Sequence, residues 1–329
     1  MDFNAGDFSS KIFESKIINF DELALQLFKY QFEQNLIYNQ FCKKITPISK
    51  IDSLKNIPFL PIEFFKTHEI KSDNFTPEII FKSSGTTGMS QSNHYVKDLS
   101  IYEKSYHKAF DQFYGKANEY CIIALLPSYL ERDGSSLVYM FEDLIKQSEH
   151  PLSDFYLHDF DKLNSTLTQL KAQKQKTILV GVTYALLDFA EKHHITFPEL
   201  IVMETGGMKG RKKEMLREEI HEALKQSFSI SNIHSEYGMT ELLSQAYSKC
   251  DGKFICPPWM KIVITDTNDP FQILPTEKTG IINVIDLANI HSCAFIKTSD
   301  LGKINQDNTF EILGRLDNSD MRGCSLLYF

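Results

Sequence analysis

An α/β fold built on a parallel, helix-covered sheet is what the hydrophobic periodicity of this chain predicts. Three observations carry it. The runs Tyr120–Pro127 (YCIIALLP) and Thr177–Val182 (TILVGV) are short, continuous and apolar, as strands buried on both faces are. Between them Phe160, Leu163, Leu167 and Leu170 recur at helical spacing, so the period switches from strand to helix and back. Leu200–Met203 then breaks at Gly206 and Gly207 before a helical pattern resumes over Arg211–Leu224. That places a glycine turn at the carboxyl end of a strand, where α/β sheets bind ligands.

The other elements follow in chain order. Up to about residue 80 the pattern is mostly helical: Leu25, Phe28, Phe32 and Leu36 share a face, and Asn19 with Glu22 forms a capping box ahead of them. Ile57–Phe65 (IPFLPIEFF) holds two prolines among large apolar residues, which excludes a regular helix or central strand. It reads either as extended chain at a pocket rim or as a core-filling connection. After about residue 255, runs such as Met260–Ile264 and Ile281–Leu287 predict a β-rich part. With no internal repeat and no Gly/Ser-rich linker, residues 1–329 are expected to form one domain. Within it, 1–80 is helical, 81–255 is an α/β core, 256–313 is β-rich and 314–329 is a tail.

Composition excludes several classes of function. A chain of 329 residues with 42% hydrophobic residues affords a sizeable core, and its net charge of −8 offers no global basic field, so no nucleic-acid partner is expected. No stretch approaches the roughly 18 apolar residues that a membrane span requires, and MDFNAGDFSS lacks the marks of an export signal. The six cysteines include no CxxC pair and read as reduced thiols, from which a cytoplasmic address is expected. Cys250, Cys256, His291 and Cys293 offer a Cys₃His zinc set, although Cys-x5-Cys is an uncommon spacing. His94, His107, His158, His193 and His194 show no Ser-His-Asp pattern.

The strongest local signal is Ser83-Ser84-Gly85-Thr86-Thr87-Gly88, directly after the strand-like Ile79-Ile80-Phe81. Four hydroxyls and two glycines in six residues make a loop whose N–H and O–H donors can wrap phosphate oxygens. No Gly-Lys-Ser/Thr follows, so it is not a Walker A loop.

This loop resembles the phosphate loop of the adenylate-forming superfamily, and further segments appear in that family's order. Met203-Glu204-Thr205-Gly206-Gly207 looks like its adenine-contacting turn, and Tyr237-Gly238-Met239-Thr240-Glu241 like its YGxTE motif, in which the Thr touches phosphate and the Glu helps hold Mg²⁺. Thr298-Ser299-Asp300-Leu301-Gly302 resembles the segment whose Asp accepts the ribose hydroxyls. Gly314-Arg315-Leu316-Asp317 resembles the hinge motif whose Arg contacts the nucleotide. The roles implied suit activation of a carboxylate by ATP, which needs phosphate charge neutralised and the α-phosphorus held in line with the attacking oxygen.

A closer likeness lies in Ile57–Ile70 (IPFLPIEFFKTHEI), Leu125–Met140 (LLPSYLERDGSSLVYM), Cys256–Met260 (CPPWM) and Arg322–Leu327 (RGCSLL). These segments resemble the acyl-protein synthetase (LuxE-type) family, relatives of phenylacetate–CoA ligases. The resemblance implies the large N-terminal domain of adenylate-forming enzymes, with helix-covered sheets and a β-rich C-terminal part. It also implies ATP and Mg²⁺ as cofactors, a fatty or other hydrophobic carboxylic acid as substrate, and a reductase or acyl carrier protein as the acyl-accepting partner. Cys324 stands where the family carries its acyl acceptor, and Arg322 two residues away favours a thiolate.

CoA-type synthetases carry a mobile C-terminal domain with an adenylation lysine after the hinge, whereas only Asn318–Phe329 follow Asp317 here and none is Lys. That domain is expected to be lacking, its charge left to Lys209, Lys97 or a partner chain. Two other readings stand beside the acyl-protein synthetase: a free-standing acyl- or aryl-CoA ligase, and a non-catalytic nucleotide-binding subunit.

Overall fold

The structure is a computed structural model that describes residues 3–14, 19–46, 51–84, 91–127, 134–206 and 215–316. In chain order, helices α1 (Ala5–Ile12), α2 (Phe20–Gln34) and α3 (Leu36–Ile45) precede the two-residue strand β1 (Leu60–Pro61) and the short helix α4 (Phe64–Thr67). The hairpin of β2 (Ile79–Lys82) and β3 (Asn93–Val96) and helix α5 (Leu99–Tyr114) come next. An alternation follows: β4 (Cys121–Leu125), α6 (Ser136–Ser148), β5 (Asp154–Phe155), α7 (Phe160–Gln173), β6 (Thr177–Val182), α8 (Thr183–Lys192), β7 (Ile201–Thr205), α9 (Arg217–Phe228) and β8 (His234–Tyr237). Strands β9 (Ala246–Ser248), β10 (Phe254–Ile255), β11 (Met260–Thr265), β12 (Gly280–Asp286), β13 (Phe295–Ile304) and β14 (Phe310–Arg315) complete the described chain.

The chain divides into two compact units, Phe75–Pro257 and the residues on either side of it. In Phe75–Pro257, β5, β4, β6, β7 and β8 pair in parallel in that order, and β9 and β10 extend the sheet antiparallel. Every residue of β4 and β6 is buried, which is why both read as unbroken apolar runs: helices cover a parallel sheet on both faces. Helix α7 starts on its Asp159 cap and buries Leu163, Leu167 and Leu170, three of the four residues whose spacing predicts it. The hairpin β2–β3 forms its own two-stranded sheet.

In the other unit β11, β12, β13 and β14 form an antiparallel meander, and β1 adds in parallel to β13, with Leu60 opposite Ile296. Asn19 caps α2 as its sequence predicts, accepting the Glu22 N–H and donating to Glu22 Oε2 at 2.8 Å. Gln31 on α2 is fully buried and satisfied: its amide donates to the Asn289 and Ile290 carbonyls at 2.8 and 2.9 Å, and its oxygen accepts the Ala294 N–H. Each such bond contributes about 1 kcal/mol, and leaving a buried partner unmet costs more.

One expectation is corrected and one choice between two readings is decided. Leu36 does not continue the Leu25–Phe32 stripe: Asn35 ends α2 and caps α3 through Tyr38 N–H, which turns Leu36 out to solvent. Ile57–Phe65 is the core-filling connection rather than a rim, since Ile57, Phe59, Leu60, Ile62 and Phe65 are buried and Leu60–Pro61 joins the sheet. Of the helix expected over Arg211–Leu224, residues 211–214 lie outside the described residues; α9 is described from Arg217, with Glu219 accepting the Leu216 N–H at its first turn.

Candidate active site

In Phe75–Pro257 the candidate residues are built on three turns. The first is the loop between β2 and β3. Lys82 pairs with Asn93, and beyond them Ser83 N–H donates to the Ser92 carbonyl at 3.1 Å while Ser83 Oγ accepts Ser92 N–H at 2.9 Å. The strand hydrogen bonding thus continues to the loop's base. Ser83 and Ser84 are described; Gly85, Thr86, Thr87 and Gly88 lie outside the described residues. Beneath the base, the buried Phe81 ring packs edge-on against Tyr102 and Tyr139.

The second turn follows β7. Thr205 is buried at the strand's carboxyl end, and Gly206 has φ +69°, a left-handed conformation in which a Cβ is strained. Thr183 Oγ1, opening α8, lies 2.5 Å from the Gly206 carbonyl and 2.9 Å from Glu204 Oε2. Gly207 and Lys209 lie outside the described residues. Glu204 sits on the strand just before: burial opposes its ionisation, but His221 with Nε2 3.7 Å away, the Arg217 charge and the Ser235 and Thr183 hydroxyls hold it below the ordinary carboxylate range.

The third turn follows β8. Glu236 and Tyr237 are buried, Gly238 and Thr240 are half-buried, and Glu241 is only 5% exposed. Thr205 and Glu236 face each other across β7–β8, and Thr205 Oγ1 donates to Glu236 Oε2 at 2.6 Å. Burial, opposed by that hydrogen bond and reinforced by Glu204, pushes the Glu236 acid up to about 7. His94 on β3, itself buried, has Nδ1 2.8 Å from the Thr240 carbonyl, so the strand leaving the first loop is fastened to the third turn. Lys97 stacks its ammonium 5.6 Å from the Phe75 ring centroid.

Asp300 and Arg315 belong to the other unit, where they are cross-strand partners on β13 and β14. Arg315 Nε lies 3.9 Å from Asp300 Oδ1. Thr298 Oγ1 accepts the Asp300 N–H and donates to the Ile282 carbonyl, which fixes the Asp300 backbone. The Arg315 side chain is 71% exposed, so the pair contributes little to stability. Asp317, Arg322 and Cys324 lie outside the described residues.

The Cys250, Cys256, His291 and Cys293 set is not brought together: among the described residues no three His, Cys, Asp or Glu side chains are grouped to hold a metal ion. Cys250 and Cys256 belong to one unit and His291 and Cys293 to the other. Cys293 is buried, with its Sγ 3.4 Å from the Phe295 carbonyl. Sequence reasoning also passed over Glu204, Glu236, Thr183 and the binding of His94. The one signal available was an acidic residue closing each of two strand runs, immediately before Thr205-Gly206 and before Tyr237-Gly238.

Hydroxyl- and glycine-bearing turns stand at the carboxyl ends of the parallel strands β7 and β8, the position at which α/β sheets receive ligands, with a near-buried carboxylate at Glu241. An all-oxygen set of this kind suits Mg²⁺ rather than a softer metal. The fold is that of the adenylate-forming ligases. It matches 2-hydroxyisobutyryl-CoA ligase in complex with 2-HIB-AMP and CoA at a TM-score of 0.65 and 11% identity, over 96% of this chain and 70% of that one. It also matches ATP-bound MatB from Rhodopseudomonas palustris at a TM-score of 0.53 and 18% identity, over 74% of this chain. The chain spans about half of MatB, 49% of its length.

Residues 7–328 match the family described as "Acyl-protein synthetase, LuxE", and the chain belongs to that family. A relative is the long-chain-fatty-acid–luciferin-component ligase of Vibrio harveyi, 23% identical over 91% of this chain and 84% of its own. The protein is thus a ligase of a family that activates acyl groups. No helix among the described residues is long and apolar enough to cross a membrane.

Proposed function

We propose that the protein activates a fatty or other hydrophobic carboxylic acid with ATP and then carries the acyl group as a thioester on Cys324. In the first step a carboxylate oxygen attacks the α-phosphorus of ATP, a P–O bond forms, and pyrophosphate leaves. In the second the Cys324 thiolate attacks the acyl carbonyl, a C–S bond forms, and AMP departs with the electron pair of the broken C–O bond. A reductase or acyl carrier protein would then receive the acyl group, a role in keeping with the name of the Vibrio harveyi relative.

The observation that supports this reading best is the family match across residues 7–328, taken with the convergence of two motif turns through His94 and Thr240. Ser83, Ser84, Thr86 and Thr87 supply hydroxyl donors for phosphate oxygens, beside the backbone N–H groups of Gly85 and Gly88. Thr205, Gly206, Gly207, Tyr237 and Gly238 shape the turns that receive the base, Thr240 reaches phosphate, and Asp300 and Arg315 serve the ribose and the nucleotide. Glu241 is the residue that would hold Mg²⁺, which when bound neutralises phosphate charge.

Intact-mass measurement after incubation with ATP, Mg²⁺ and a panel of carboxylic acids, with and without CoA, tests this. One acyl group on the protein without CoA is the expected result. Acyl-CoA released with no acyl-protein would establish the CoA-ligase reading, and no AMP formation with any acid would leave a nucleotide-binding subunit.

A further inference from the structure

Glu236 is a buried carboxylate to which the reaction above gives no role. We propose that it is a positioning residue: it ties Thr205, at the carboxyl end of β7, to the turn after β8 and so sets where Thr205 and Gly238 stand, an inference that rests on reading Thr205-Gly206 and Tyr237–Glu241 as nucleotide-binding. One oxygen is hydrogen-bonded to Thr205 at the end of β7, and the other lies beside Gly238 in the third turn. Oε2 accepts the Thr205 hydroxyl at 2.6 Å, one residue before Gly206. A Cβ on residue 238 would clash with Oε1 and come within 3.2 Å of Gln245 Cγ, so glycine there lets the third turn lie against the Glu236 carboxylate without displacing it. A shift of Glu236 is therefore felt at Thr205 and at Gly238 alike.

The surroundings make this link sensitive to charge. Tyr247 on β9 is the directly opposed residue, Tyr102 and Tyr114 on α5 feel the Glu236 charge, and Glu204, paired with Ser235 one position along β7, acts on Glu236 through its charge. The Tyr247 hydroxyl is buried without a hydrogen-bond partner among the described residues. His221 and Arg217 on α9 act on Glu204. Protonated, Glu236 still accepts from Thr205 and adds no charge. Ionised, it adds a second negative charge to the one Glu204 carries on the neighbouring strand, at the base of the turn read as receiving phosphate. With burial pushing its acid up to about 7, the change falls at neutral pH.

Titration calorimetry of the full chain with ATP and Mg²⁺, without acid substrate, from pH 6 to 8.5 tests this. Wild-type affinity is expected to fall about tenfold more steeply across that range than affinity of Glu236→Gln, which keeps the acceptor and the shape but cannot ionise; comparing the two removes the nucleotide's own titration. Equal slopes would overturn the charge link. A second measurement reads the tie itself without nucleotide: Gly238→Ala should lower the thermal midpoint in the wild-type background and much less in Glu236→Ala. Equal costs in both backgrounds would overturn the proposal. A wild type that binds no ATP would instead overturn the nucleotide reading, while the coupling between Glu236 and Gly238 is still decided by the thermal cycle.

Discussion

His94 Nδ1 donates to the main-chain carbonyl of Thr240 at 2.8 Å, across 146 positions of sequence. A carbonyl only accepts, so Nδ1 carries the proton and the tautomer is fixed by this contact. The consequence is mechanical: the strand that leaves the Ser83–Gly88 loop and the turn that presents Thr240 and Glu241 cannot move independently. His94→Asn, whose amide nitrogen replaces Nδ1, should keep most activity. His94→Ala should cost about 1–3 kcal/mol of stability by leaving the Thr240 carbonyl unmet in a buried site, and should raise the KM for ATP. Thermal unfolding and acid-dependent pyrophosphate exchange of the two variants check this. Equal behaviour of both would remove His94 from the site's framework.

Glu236 and His234 lie two residues apart on β8 and pull the pH dependence of stability in opposite directions. Burial raises Glu236 to about 7, so its contribution is full below about 4.5 and is lost as pH rises through 7. Burial, reinforced by Lys249, lowers His234 to about 4, so its contribution is present above 6.5 and is lost as pH falls through 4. Between about pH 4.5 and 6.5 the two slopes oppose each other, each at most about 1.4 kcal/mol per pH unit. Glu236→Gln should leave the His234 slope uncompensated, and the variant should lose stability on acidification more steeply than the wild type. Denaturant midpoints at pH 5 and 6.5 measure the difference.

The parts of this molecule that were legible in its sequence are those whose cause is local. Central parallel strands are buried on both faces, so β4 and β6 announce themselves as apolar runs, and the Asn19 cap needs only its neighbour Glu22. Leu36 misled because its helical spacing runs on across Asn35, and spacing does not register that an Asn side chain has ended one helix and begun the next. Glu204 and Glu236 were not recognised for a different reason. Their partners Thr183, Ser235 and Thr205 come from neighbouring strands and helix starts, and a single strand's pattern carries no trace of the pairing register that brings them together.

Glu241→Gln and Thr86→Val should each reduce acid-dependent pyrophosphate exchange, on the order of 100-fold, by removing a metal ligand or a phosphate hydrogen bond where charge develops. Glu241 is nearly buried, so circular dichroism and the thermal midpoint should be recorded alongside. Wild-type exchange in both variants would mean that these motifs do not serve the phosphates.

Asp300→Ala should act on binding more than on turnover, because ribose contacts exist in the ground state as well as the transition state. A roughly tenfold rise in the KM for ATP with kcat little changed is the expected result. The Asp300 backbone N–H is held by the Thr298 hydroxyl, which is itself fixed on the Ile282 carbonyl, so the strand should keep its course in the variant. Unchanged nucleotide affinity would count against the ribose role.

The two half-reactions separate at Cys324. Cys324→Ser should still form acyl adenylate, visible as pyrophosphate exchange, but should accumulate no hydroxylamine-labile acyl-protein, because a serine hydroxyl at neutral pH is a poor nucleophile without a dedicated base. The described cysteines narrow what else could take the acyl group. Burial pushes the Cys42 thiol up to about 12 and the Cys121 thiol up to about 11, and raises Cys293 further still, so none of these offers a thiolate at neutral pH. Cys250 and Cys256 are only partly covered. A Cys324→Ser protein that still carried a stoichiometric thioester after ATP and acid would therefore overturn the assignment and direct peptide mapping to those two positions, whereas loss of the thioester with exchange intact fixes the acceptor.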